Sequence, residues 1–224
     1  MYLIKFIKKD KIATDTYTFY FTKPRNYRYI GGQYSEFQLS PTSDSKRWFT
    51  LSSAPSENTL QLTTKINLKL ASSFKISLWN LKEGQTIHIQ DAFGDFVLPK
   101  NLNQDLLFII AGIGLTPLLS ILKESLNQQL RIKLQLVYIV KDTDYLVDLK
   151  RYQKLFKSTR IIYTSQIPFK PNLIDENLAQ LQLKHKIYLS GPDKFITKLR
   201  DHLIEQSISE SNIISDYFDG YLEI

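Results

Sequence analysis

Cysteine is absent from the 224 residues. Its absence excludes disulfides, thiolate zinc sites, a nucleophilic thiol and a cysteine-held iron–sulfur cluster within this sequence. A one-electron iron–sulfur centre would have to sit on another protein. Histidine is scarce: 3 residues, at positions 88, 185 and 202, without metal-ligand spacing, so no metal site is expected. Long uninterrupted apolar runs are missing too. The longest stretch, LLFIIAGIGLTPLLSIL at 106–122, is broken by two glycines and a proline and reads as a buried strand and helix, not a membrane span. The opening MYLIKFIKKDKIATDT has neither a long apolar core nor a small-residue cleavage site, and reads as a first strand. A soluble cytoplasmic protein is expected.

What is present suits a globular chain with a full core, in one large or two small domains: 43% hydrophobic residues, with 13 Tyr, 13 Phe and 2 Trp. Most aromatics in any protein are core, so they carry functional weight only inside a motif. The net charge of +7 could steer acidic partners. The basic residues are spread along the chain with no basic block or nucleic-acid motif, so nucleic acid is not an expected partner. A solvated surface explains that spread, and the specific alternative is docking of an acidic redox protein.

The chain has two rhythms. From 1 to 99, short runs alternate apolar and polar residues (YLIKFIKK, TYTFYFTK, QYSEFQLS, RWFTLSSA, LQLTTKI, QTIHIQDAF), separated by PRN, GGQ, SPTSDS and KEGQ. This predicts an antiparallel barrel or sandwich. One helix is expected there, over 72–84, with Phe74, Leu78 and Leu81 on one face and Gly84 beyond its end. From 103 to 224, strongly apolar strands alternate with amphipathic helices, including one expected around 145–157, which predicts a parallel sheet covered on both faces.

Four motifs follow in order. RWFTLSSAP, at 47–55, combines a guanidinium able to hold a diphosphate, aromatics able to stack, and hydroxyls able to bond a heterocycle edge. SSFK, at 72–75, opens the barrel's helix and offers a second anion clamp. AGIGLTP, at 111–117, and YLSGPDKFI, at 188–196, each place glycine where a strand passes into a helix, the edge at which open parallel sheets bind ligands. The third glycine of GxGxxG is missing, so an ordinary Rossmann fingerprint is not present.

Arg47, Phe49, Thr50 and Ser53 resemble the Arg-x-[Tyr/Phe]-[Ser/Thr]-x-x-Ser flavin signature of the ferredoxin–NADP reductase family. GGQY at 31–34 resembles its Pro-Gly-Gln-Tyr strand, AFGDFVLP at 92–99 its barrel-closing segment, and AGIGLTP its nicotinamide-dinucleotide loop. YLSGPDKFI is similar to the later Cys-Gly-Pro turn with Ser190 at the cysteine position, and YFDGY at 217–221 to an aromatic ending. The similarity runs in family order from 31 to 221.

The resemblance implies a six-stranded antiparallel FAD barrel (1–99) followed by an NAD(P)-binding parallel α/β domain (103–224), with hydride passing from NADPH or NADH to flavin N5. It implies that Arg47 holds the FAD diphosphate, Trp48 and Phe49 share the flavin-binding strand, and Thr50 bonds the ring near N5. Ser53, Ser72, Ser73, Phe74 and Lys75 complete the flavin contacts. Gly112, Gly114, Thr116 and Pro117, facing Ser190, Gly191 and Pro192, receive the nicotinamide nucleotide, and Tyr221 covers the flavin face. Lys141 could meet a 2′-phosphate, whereas Asp142 and Asp144 suit an unphosphorylated ribose; NADPH is favoured slightly. The electron acceptor implied is a separate, acidic ferredoxin or flavodoxin. Free flavin, ferric chelates or quinones are alternatives, and so is a flavin-binding regulator without turnover.

Overall fold

A computed structural model describes residues 1–39, 46–132, 134–141, 149–165, 168–181 and 185–218. The first sheet comprises β1 (Tyr2–Ala13), β2 (Thr16–Thr22), β3 (Tyr34–Gln38), β4 (Lys46–Thr50), β5 (Thr59–Lys65) and β6 (Thr86–Ile89), and α1 (Ser73–Trp79) precedes β6. The second sheet comprises β7 (Asp105–Ala111), β8 (Leu134–Val140), β9 (Phe156–Tyr163), β10 (His185–Pro192) and β11 (Ile213–Phe218). Helices α2 (Leu115–Asn127), α3 (Asp175–Leu178) and α4 (Asp193–Glu205) run between its strands.

The first sheet has the order β4-β3-β6-β1-β2-β5, all antiparallel. Its two end strands meet just beyond β4, through the Leu51–Leu62 bridge and the bond from Ser52 N–H to the Gln61 carbonyl at 2.9 Å, which curls the sheet into a barrel. Period-two patterning fills it: Ile4 and Phe6 are buried, while Leu3 and Lys5 between and beside them are exposed. Phe19, Phe21, Phe37, Leu60 and Leu62 join them, and α1 plugs one end with Phe74 and Leu78. The helix expected over 72–84 is shorter than its pattern. It stops at Asn80, whose N–H bonds the Ile76 carbonyl, and Leu81 packs against the barrel from beyond the helix.

The second sheet has the order β11-β10-β7-β8-β9, all parallel. Every residue of β8, LQLVYIV, is buried, as a strand covered on both faces requires. Phe108, Ile110, Leu134 and Tyr138 face one cluster with α2; Leu107, Ile109, Val137 and Ile139 face another with Phe195, Ile196 and Leu199 of α4. The expected helix around 145–157 is corrected in its described part: residues Leu149–Leu155 form a tight 3-10 turn that buries Tyr152 and Leu155 and runs directly into β9. Its earlier residues lie outside the described ones. The strand β11 and the short α3 were not expected. Among the described residues, no helix is long and apolar enough to cross a membrane.

The two sheets share a polar and aromatic seam. Tyr188 of β10 donates to the Val97 carbonyl at 2.7 Å and stacks on Phe108, with ring centroids 4.4 Å apart. Gly32 has φ +101°, and a Cβ there would fall 1.9 Å from the Phe96 carbonyl oxygen, so this turn admits glycine alone. One face of α2 carries Ser120, Lys123, Glu124 and Asn127, the i, i+3, i+4, i+7 spacing of a helix stripe. All four bond the segment that follows β4.

Candidate flavin and nicotinamide site

Strand β4 is held by β3 in a register that sets Thr50 opposite Tyr34, Phe49 opposite Ser35 and Arg47 opposite Phe37. Arg47 and Trp48 are exposed, Phe49 is half-buried and Thr50 is buried. Phe49 packs on Phe37 and, at 5.5 Å between ring centroids, on Phe74, which ties β4 to α1. Trp48 meets Tyr34 edge-to-face at 5.5 Å and Phe93 at 6.2 Å. Trp48 and Phe93 nevertheless stay half exposed, at 54% and 50%.

These residues form one wall of a cavity of about 1030 Å³ between barrel and parallel sheet. The barrel contributes Arg47, Trp48, Phe49 and Thr50, the end of β5 with Lys65, and Ser72, Phe74 and Lys75 from the start of α1. The other wall is Ile113 with Ser215, Asp216, Tyr217 and Phe218 of β11. Ser72 caps α1 by accepting from Lys75 N–H at 3.4 Å. Lys65 reaches across the gap: a Cβ on Gly112 would lie 4.0 Å from its Nζ.

A polar contact joins the two walls. Thr50 Oγ1 donates to Asp216 Oδ2 at 3.1 Å. Asp216 keeps some exposed surface as a residue, but its carboxyl lies deep among neighbours. Desolvation pushes its pKa from 3.8 up to about 7, and the Thr50 hydrogen bond opposes part of that rise. In β11, Asp216 pairs with Ser190 of β10, so the carboxyl stands beside the second glycine turn. Nearby, Ser215 Oγ is buried without a hydrogen-bond partner although its residue lines the cavity. Sequence reasoning missed Asp216 and Ser215. The available signal was an acid in the middle of the strand IISDYF, where burial demands a partner.

The expected residues are brought together unevenly. Arg47, Trp48, Phe49, Thr50, Ser72, Phe74 and Lys75 all line the cavity; Ser73 sits exposed at the start of α1. Ser53 is fully buried instead, with its hydroxyl against the Tyr29 hydroxyl at 2.8 Å and accepting from Gln61 N–H at 3.1 Å. Gly112, Gly114, Thr116 and Pro117 begin α2, and Thr116 spends its hydroxyl on the Ile113 carbonyl at 3.2 Å. The two glycine turns touch: a Cβ on Gly114 would lie 2.5 Å from the Ser190 carbonyl oxygen, and Gly191 abuts Ala111. Ser190 is fully buried, with Oγ unpartnered, and Pro192 ends the same strand. Lys141 is exposed just past β8, away from the cavity lining. Tyr221, Asp142 and Asp144 lie outside the described residues. The aromatic that reaches the cavity from the last strand is Phe218, beside Tyr217. No cluster of three or more His, Asp or Glu able to hold a metal occurs among the described residues.

No family model matches the chain. It is 27% identical over 203 residues to a flavohemoprotein of Candida albicans, covering 83% of this chain and 48% of that protein. It is also 27% identical over 201 residues to the anthranilate 1,2-dioxygenase electron transfer component of Acinetobacter baylyi, covering 85% of this chain and 58% of that one. It spans about half the length of these curated relatives. Among solved structures, the ferredoxin–NADP+ reductase from Plasmodium falciparum superposes with a TM-score of 0.81 at 18% identity, covering 96% of this chain and 95% of the other. The chain has a ferredoxin–NADP+ reductase-like fold. A ferredoxin NADP+ reductase from Neisseria gonorrhoeae, solved with bound FAD and NADP, superposes on 96% of this chain and 98% of its own with a TM-score of 0.78 at 18% identity. In this reductase-like fold the cavity lies where the barrel meets the C-terminal edge of the parallel sheet, the edge at which such sheets bind ligands.

Proposed function

We propose that the protein is an FAD-dependent NAD(P)H oxidoreductase, with an FAD-binding unit at 1–99 and a nucleotide-binding unit at 103–224. One observation carries this reading: a single large cavity joins the Arg47–Thr50 strand of the barrel to Asp216 and Phe218 of the parallel sheet. Its volume is at the upper end for ligand pockets, which run to about 1000 Å³, and suits a dinucleotide. The residues fit FAD. Arg47, Lys65 and Lys75 set cations around a diphosphate, and Phe49 and Phe218 present aromatic surface to a flat ring.

Bound FAD would supply hydride acceptance and single-electron release, which no side chain can. The chain's own residues supply geometry and a proton. When Asp216 is ionised, Thr50 Oγ1 donates to Oδ2. When Asp216 holds a proton, the direction reverses and the Thr50 hydroxyl hydrogen is free for a bound ring. A pKa of about 7 makes that reversal available near neutrality. Gly112 and Gly114 lie at the start of α2, close to Ser190 and Gly191, and these two turns form the receiving side for the nicotinamide half. Lys141 supports a slight preference for NADPH. The +7 charge supports an acidic ferredoxin or flavodoxin as acceptor, with small acceptors such as free flavin or quinones as the competing outcome.

The test is the visible spectrum of FAD-loaded, desalted protein, titrated without oxygen with NADPH and with NADH. Bleaching of bound flavin is expected; bound flavin that stays oxidised with both nucleotides would overturn the oxidoreductase reading in favour of a regulator.

A further inference from the structure

The stripe on α2 is more than a seam. Lys123 Nζ donates to the Ser52 carbonyl at 2.9 Å and to Gln61 Oε1 at 2.7 Å, and lies 3.8 Å from Glu57 Oε2. Its side chain is 18% exposed, and desolvation lowers its pKa despite Glu57. Around it, Ser120 donates to the Ser53 carbonyl at 2.5 Å. Glu124 accepts from Ser56 N–H and hydroxyl at 2.9 and 2.7 Å, and Asn127 donates to the Ser56 hydroxyl at 2.9 Å. Glu57 in turn accepts from Ala54 N–H at 2.6 Å and from the Gln61 side chain at 3.3 Å. A cation in this pocket fixes a loop that has no regular structure of its own.

What that loop joins gives the contact its meaning. Ser52 and Ser53 directly continue the strand that ends at Thr50, the barrel's contribution to the proposed hydride site. Lys123 sits on the helix whose first turn follows Gly112–Gly114, the nucleotide side. From Gly114 to Lys123 the helix is a rod of about 14 Å at 1.5 Å per residue. A tilt that shifts the Lys123 end against the loop therefore moves the glycine turn by a comparable distance, and a misplacement of about 1 Å can cost 10²-fold in rate.

We propose that Lys123 is a positioning residue for hydride transfer: through Ser52, Gln61 and Glu57 it sets the spacing between the flavin strand and the glycine turn. It touches neither ligand. The inference rests on the oxidoreductase reading, and its test separates the two.

Lys123→Met keeps the unbranched stem, one atom shorter, but removes the charge and every donor. Because the chain has no cysteine, spin labels can be placed cleanly at Glu83 and Lys198, both exposed, one on each unit. In the FAD-loaded full chain, the variant is expected to broaden the inter-label distance distribution. It should also slow flavin reduction about 10- to 100-fold at saturating nucleotide, with flavin affinity changed less than about 3-fold. Lys123→Arg, which retains charge and donors, should recover most of the rate. Glu57→Gln should act in the same direction more weakly and stands in if the methionine variant does not fold. A distance distribution unchanged in a slow variant overturns the proposal, and so does a broadened distribution with an unchanged reduction rate. Wild-type protein that binds flavin but takes no hydride defeats the oxidoreductase reading and this assignment with it. The distance measurement then still reports whether Lys123 clamps the two units.

Discussion

Replacing Asp216 with asparagine tests the electrostatics of the cavity without any cofactor. The native carboxyl titrates near pH 7 and the unfolded one near 3.8. Between those values the folded protein holds a proton that the unfolded chain releases, so the native state binds more protons and stability falls as pH rises. The contribution is complete below about pH 4 and lost as pH passes 7. At 1.36 kcal/mol per unit, the separation of 3.2 units amounts to about 4 kcal/mol. Discounted for the partial solvent access of the residue, roughly 2–4 kcal/mol is expected. Asparagine keeps the shape and can accept from Thr50 but does not titrate. The assay is urea unfolding of flavin-stripped wild type and Asp216→Asn at half-unit steps from pH 4 to 8. The stability difference, wild type minus variant, should decline across that range and level off above about pH 7.5. A flat difference, or one that grows with pH, would refute the buried, proton-holding Asp216.

Three further outcomes are expected. Thr50→Val removes the hydrogen bond that lowers the Asp216 pKa, so the carboxyl midpoint seen by NMR should move upward, while flavin reduction slows at least about 10-fold. Gly114→Ala has ordinary helical backbone at φ −57°, yet its Cβ would press on the Ser190 carbonyl, so the cost should be about 1–3 kcal/mol, read as a Tm drop of roughly 2–12 °C in calorimetry. Arg47→Ala should weaken FAD binding about 10- to 100-fold in a fluorescence titration, since a charge-assisted diphosphate contact is lost; unchanged affinity would remove Arg47 from the site.

The barrel and the parallel sheet were readable because their signals are local. IKF alternates around Ile4 and Phe6, β8 is apolar throughout, and Pro117 and Gly112 mark the start of α2. RWFT was readable as a candidate site because a guanidinium, aromatics and a hydroxyl share one short strand, and its residues line the cavity. Asp216 was not readable. Its meaning depends on β11 lying parallel to β10, and its partner Thr50 is 166 residues away. The same distance hid Lys123, which in sequence is one more lysine in LLSILKESLN. The helix expected near 145–157 failed for a different reason: the spacing of Leu149, Tyr152 and Leu155 suits a 3-10 turn as well as an α-helix over so short a stretch.

The Thr50–Asp216 bond also bears on how the protein is made. At a synthesis rate of about 5–20 residues per second, the ribosome needs roughly 8–33 s to travel the 166 residues between the two partners. During that interval β4, with Thr50, has been made, but β11, which supplies the carboxyl, has not. The contact that joins the two walls of the cavity therefore forms only after the edge strand of the second sheet has been made.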